Sequence, residues 1–139
     1  MKLAIIAHDS KKELLAQFCS AYCGILSQHT ICATSVTAKY IVEATGLEVD
    51  ELMSGESGGN EQIAQRIAYD EIDMLIAFRE TSPSVLDDIS LNECLRLCDY
   101  NNIPYATNLG TAEALIIALG RGDIDWRKYR RIKPAGLQF

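Results

Sequence analysis

Short apolar runs alternate with segments of helical period along most of this chain, and that alternation restricts it to one fold class. Residues 2–7, 30–33, 47–53, 73–78 and 103–106 read as strands. Residues 11–26, 37–44, 61–69, 91–100 and 111–119 carry apolar side chains at helical spacing. Gly46 ends the second of these helices, and Gly120 with Gly122 ends the last. Strands that alternate with helices build a mostly parallel sheet covered on both faces, because a parallel crossover needs a helix's length of chain. The expectation is an α/β, three-layer sandwich forming a single domain over residues 1–139, with no internal repeat and no interdomain linker.

Such a sheet has one preferred place for a ligand, the crevice beyond the carboxyl ends of its strands. The segments that fall there are His8-Asp9, residues 34–37, the cluster Ser54-Gly55-Glu56-Ser57-Gly58-Gly59-Asn60, Arg79-Glu80 and Thr107-Asn108. All are polar or glycine-rich and all follow apolar runs. The glycine cluster resembles an anion cradle opening onto a helix, where backbone N–H groups and the helix dipole favour phosphate. Thr34, Ser35 and Thr37 add hydroxyls beside a second helix start, and Lys12 supplies a balancing charge. Candidate proton-transfer groups are Asp9, Glu61, Glu80, Asp87 and His8, with Arg79 as a charge partner for Glu80 or a ligand clamp. Asp87-Asp88 reads as a solvated loop pair. Asn60 stands in the first turn of its helix, and a carboxamide accepts no proton at neutral pH.

Composition excludes several function classes. A net charge of −6 argues against a nucleic-acid surface, which needs a basic stripe. One basic run does occur, Arg121, Arg127, Lys128, Arg130, Arg131 and Lys133, and reads either as a solvated tail or as an anion or subunit contact. No apolar run approaches the length of a membrane span, so neither membrane nor nucleic acid is an expected partner and a cytoplasmic location is expected. Five cysteines without a C-x-x-C pair read as buried, reduced thiols rather than a zinc or redox motif, so no metal is expected. A Walker, dinucleotide or G-x-S-x-G fingerprint is also missing, so no nucleotide cofactor is indicated.

Several motifs together resemble methylglyoxal synthase: Ala7-His8-Asp9 with Lys12, Ala33-Thr34-x-x-Thr37, EATGL at 43–47, SG-x-x-GG-x-x-Q at 54–62, RLCD at 96–99 and IP-x-ATN-x-GTAE at 103–113. The resemblance implies an enzyme that removes a carbon-bound proton from dihydroxyacetone phosphate and expels phosphate, with no cofactor, as a homohexamer. It matches His8, Asp9, Lys12, Thr34, Thr37, Ser54, Gly55, Gly58 and Gly59 to positions that face the substrate, several of them holding its phosphate. It also implies departures. Asn60 stands where the family has its aspartate base, Glu80 and Ser90 replace two further aspartates, and Asp87 falls at a family histidine. The expectation is a family member that binds a small phosphorylated metabolite or phosphate with the family reaction impaired or lost. Its alternatives are an active lyase using Asp9 or Glu80 as the base, and a non-catalytic oligomeric or regulatory module.

Overall fold

The structure, a computed structural model, describes residues 1–82 and 88–129. Its first apolar run, Lys2–Ala7, is strand β1, and the alternation of its side chains divides the interior in two. Leu3, Ile5 and Ala7 enter one apolar cluster, while Ala4 and Ile6 enter the other. Both faces of β1 are therefore covered, as an all-parallel sheet requires. The remaining strands are β2 (Thr30–Thr34), β3 (Asp50–Leu52), β4 (Met74–Phe78) and β5 (Tyr105–Ala106). They pair in parallel in the order β3-β2-β1-β4-β5.

The helices are α1 (Lys12–Ala21), α2 (Cys23–Leu26), α3 (Ser35–Thr45), α4 (Gly59–Ala68), α5 (Ile89–Tyr100) and α6 (Leu109–Arg121). Leu15, Phe18, Ile41 and Ile116 place α1, α3 and α6 on the face of Leu3 and Ile5. Ile63, Ile67, Leu91 and Cys94 place α4 and α5 on the other face. Three layers result, as the sequence pattern requires. Strand order reverses at β1, whose neighbours β2 and β4 lead to opposite edges; β1 and β4 stay paired to their carboxyl ends, where the His8 N–H donates to the Phe78 carbonyl, and the chain then leaves them toward opposite faces, which opens a crevice there.

Three sequence expectations shift locally. The helix expected over 11–26 is a 3-10 turn (Asp9–Lys11) followed by α1 and α2, with a break at Tyr22 (φ −112°, ψ 23°). Tyr22 packs its ring 5.2 Å from that of Phe18 and donates its hydroxyl to Glu113, contacts that hold it at the break. Gly120 does not end α6 but lies inside it, where a Cβ would stand 2.9 Å from Ile25; Gly122, at φ 85°, is the stop. Strand β5 begins only at Tyr105, since Pro104 has no N–H to give, although its carbonyl still accepts from Leu75.

The basic run divides in the same way. Arg127 is fully buried, and its guanidinium donates to Asp70 (2.9 Å), Asp73 (3.3 Å) and the carbonyls of Asn102 (2.7 Å) and Ile72 (3.3 Å). It is neither tail nor anion site but a clamp that ties the segment after α6 beneath β4. Arg121 pairs with Asp123 and Lys128 with Asp125 on the surface, while Arg130, Arg131 and Lys133 lie outside the described residues.

All five cysteines are free thiols, with Cys19, Cys32, Cys94 and Cys98 buried and Cys23 half-buried. Burial pushes the Cys19, Cys94 and Cys98 thiols up to about 12 from the ordinary 9.0. A thiol raised in the folded state favours that state while it stays protonated, so the contribution is whole below about pH 9 and is lost as pH climbs toward 12. The urea midpoint should therefore fall across that window. Iodoacetamide at pH 8 should label Cys23 in the native protein well before the other four, which mass spectrometry of the peptides reads directly.

Candidate active site

Backbone geometry brings four strand ends to one cleft of about 850 Å³. From the end of β1 come His8, Asp9 and Lys12; from β2, Thr34; from the turn after β3, Ser54, Gly55 and Asn60; from β4, Glu80. Every one of these was expected there from sequence. Asp88 and Ser90, at the start of α5, complete the wall. Thr37, Gly58 and Gly59 are not among the residues lining it, and Asn108 instead caps α6 by accepting from the Thr111 N–H (3.0 Å). Asp87 lies outside the described residues.

The anion-facing part is built from Lys12 and the starts of two turns. Lys12 is buried, donates to the Ala7 carbonyl, and lies 3.7 Å from the Asp9 carboxylate, which is itself fully exposed. Burial lowers the Lys12 ammonium from its ordinary value, with Asp9 pulling it partway back. An arriving anion would relieve that desolvation. Thr34 is the N-cap of α3, yet its side chain makes no capping bond, which leaves the first-turn N–H groups without a side-chain acceptor. Its hydroxyl lies 3.4 Å from that of Thr37, which is buried behind it.

The glycines have a steric role. Ser54 opens a 3-10 turn (Gly55–Ser57), where its hydroxyl accepts from the Ser57 N–H (3.2 Å) and its carbonyl from the Gly59 N–H (2.8 Å). Gly58 sits at φ 102°, and a Cβ on Gly59 would stand 2.2 Å from the Met53 carbonyl and 2.6 Å from Thr34. These two glycines let α4 start hard against the end of β2, which is what carries Asn60 into the cleft. Gly59→Ala should cost at least the roughly 1–3 kcal/mol of an overpacked core site and displace Thr34. Urea denaturation measures the loss, and a change below about 0.5 kcal/mol would show that the approach is not so tight.

A single hydrogen-bonded chain runs along the opposite wall. The Glu80 N–H donates to His8 Nδ1 (2.6 Å), so Nε2 carries the ring proton and gives it to Asp88 Oδ2 (3.0 Å). Ser90 Oγ donates to Asp88 Oδ1 (2.8 Å), and Asn60 Nδ2 donates to Ser90 Oγ (3.0 Å). Asp88 also accepts from the Leu91 N–H (3.1 Å) as the N-cap of α5. Burial alone would raise the Asp88 carboxyl, but the bonds from Ser90, Leu91 and His8 outweigh it and hold the group below its usual range. The expected solvated loop acid is thus the sink of the whole network. Its signal in the sequence is an aspartate just ahead of a helical-period run, the pattern of an N-cap.

Glu80 is equally engaged. Ser10 donates to one carboxylate oxygen, and the N–H groups of Thr81 and Ser82 donate to the other (both 2.9 Å). The Ser10 hydroxyl, then the Ser82 N–H, lower its carboxyl below the ordinary value. Its partners are these donors rather than Arg79, which is exposed. A carboxylate held this way is a weak proton acceptor.

A five-strand parallel sheet whose crevice gathers a lysine, a threonine turn and a serine-glycine turn defines a protein of the methylglyoxal-synthase-like class. A family model described as the MGS-like domain matches residues 15–107, and the chain belongs to that family. More particularly, it is 52% identical over 128 residues to the methylglyoxal synthase of Caldicellulosiruptor saccharolyticus, spanning 92% of this chain and 91% of that relative. It is 46% identical over 127 residues to the methylglyoxal synthase of Lysinibacillus sphaericus, spanning 91% and 95%. The crystal structure of methylglyoxal synthase from Elizabethkingia anophelis NUHP1 superposes with a TM-score of 0.74 at 35% identity, covering 83% of this chain and 76% of that one. No helix among the described residues is long and apolar enough to cross a membrane.

Proposed function

We propose that this family member binds a small phosphorylated metabolite, dihydroxyacetone phosphate or inorganic phosphate itself, and that its turnover of dihydroxyacetone phosphate to methylglyoxal and phosphate is impaired. Lys12, Thr34, Ser54, Gly55 and the open first turn of α3 hold the phosphate in this reading. The observation that carries it is Asn60: the group that the family resemblance makes the proton acceptor is an amide that donates to Ser90. The two substitutes weighed from sequence fare no better as bases. Glu80 has both oxygens occupied, and Asp9 is bathed in solvent beside the Lys12 ammonium. Copies of the same chain are the other proposed partners, a hexamer by resemblance, and the compartment proposed is the cytoplasm.

Two measurements on the purified protein test this. Phosphate or dihydroxyacetone phosphate should raise the melting temperature, since a ligand specific to the folded state stabilises it. Methylglyoxal release from dihydroxyacetone phosphate should run about 10²–10⁴ below that of the Caldicellulosiruptor saccharolyticus relative assayed in parallel, the usual cost of a lost general base. Equal rates would return Asp9 or Glu80 to the role of base. No thermal shift with either ligand would favour the assembly role.

A further inference from the structure

The motif SG-x-x-GG-x-x-Q closes on Gln62, which is not among the residues lining the cleft. Its place follows from where the sheet runs out. Strand β3 lies at the sheet's edge and pairs with β2 from Asp50 to Leu52, and it can pair no further because β2 ends opposite Leu52, at Thr34, where α3 begins. From Met53 onward no ladder holds the chain. The Met53 side chain is half exposed, so packing does not anchor it either. Within the turn, the N–H groups of Ser57 (3.0 Å) and Gly59 (2.8 Å) both donate to the Ser54 carbonyl, which closes the segment on itself and on the first residue of α4. Met53, where the turn leaves the strand, is reached by a bond from deeper in that helix: Gln62 Oε1 accepts its N–H at 2.8 Å. Ile63, the next residue, is fully buried, so this acceptor is held out from a helix that the core fixes in place. The amide cannot flip without setting two donors against each other.

We infer that Gln62 is a positioning residue, which pins the Ser54-Gly55 turn to α4 through the Met53 N–H and so keeps it set for an anion before one arrives. This rests on the phosphate-binding reading above and adds what holds that part of the cleft in shape. Ser54 Oγ accepts from the Ser57 N–H, and among the described residues nothing takes its own proton, so the hydroxyl keeps a donor for the ligand. Where that donor points depends on the residue before it. A turn released at Met53 would have to be ordered by the ligand, and the ordering lowers the net affinity.

Calorimetry with inorganic phosphate and amide hydrogen exchange followed by NMR test the inference. Gln62→Met keeps the length of the side chain and loses the acceptor, and it should bind phosphate about fivefold more weakly, the effect of one ordinary hydrogen bond. Its exchange should quicken at Met53 while the amides of Ile63 and Ile67, both fully buried, stay protected, because the turn is released and the helix is not. Gln62→Glu keeps an acceptor at the same reach and should return the Met53 amide to slow exchange, so the two variants separate the acceptor from the bulk of the side chain. Unchanged phosphate affinity in Gln62→Met overturns the positioning role and leaves the phosphate reading intact. A wild-type Met53 amide that exchanges as fast as an open chain overturns it too, and that measurement needs no variant to fold. Wild-type protein that takes up no phosphate overturns the phosphate reading and the inference with it.

Discussion

Arg127→Ala is expected to lower the unfolding free energy by about 3–5 kcal/mol, the cost of breaking a buried ion pair from one side. Its side chain is fully buried and donates to two carboxylates and two carbonyls, all drawn from the loops that enter β4 and β5. Removing the guanidinium takes that cation from Asp70 and Asp73 and leaves the Asn102 carbonyl without its 2.7 Å donor. The two carboxylates are about a third and a fifth exposed, so water relieves part of the loss and the lower half of the range is expected. For a domain of this size that is a melting-point drop of roughly 10 °C. Arg127→Lys should recover only part of it, because an ammonium has three donors on one nitrogen and cannot reach the four acceptors that the guanidinium fork serves. Arg121→Ala, at the exposed pair with Asp123, should cost no more than about 1 kcal/mol. Equal losses for Arg127→Ala and Arg121→Ala would show that the clamp carries no special weight.

That clamp also marks where reading the sequence stops. Five strands and their order of appearance were legible because β1 and β4 are continuous apolar runs, and because Gly46 and Gly122 stop helices where positive φ is needed. Arg127 was not distinguishable within its basic run: its partners, Asp70 and Asp73, lie more than fifty residues away, and only the folded chain brings them together. The break at Tyr22 was hidden for the same reason, being set by Phe18 on one side and Glu113 on the other. Within the cleft, strand-end position alone located His8, Asp9, Thr34, Asn60 and Glu80. It could not assign roles. The glycines 58 and 59, expected as part of an anion cradle, also serve the close approach of α4 to β2, and Asp88 gains its importance from His8, eighty residues earlier.

Asn60→Asp is expected to raise methylglyoxal formation from dihydroxyacetone phosphate above the wild-type level by about 10²-fold, the lower end of what a positioned general base contributes. The new carboxylate would take the place of an amide 3.0 Å from Ser90 Oγ. That hydroxyl has one proton and already gives it to Asp88, so two carboxylates would compete for a single donor. Whichever loses is left next to a like charge, and its affinity for a proton rises. If Asp88 keeps the proton, as its second anchor on the Leu91 N–H favours, the residue at 60 is the unsatisfied one and becomes the stronger base. Its raised value also sets the sign of the pH dependence: activity should climb as pH rises through it, because only the ionised form accepts a proton. Ser90→Ala in the Asn60→Asp background removes the hydroxyl the two carboxylates compete for, so the climb should change position on the pH axis rather than disappear. A wild-type rate unchanged by Asn60→Asp would mean that the missing proton acceptor is not what limits this cleft, and an Asn60→Asp profile indifferent to Ser90→Ala would mean that the hydroxyl between the two side chains does not couple them.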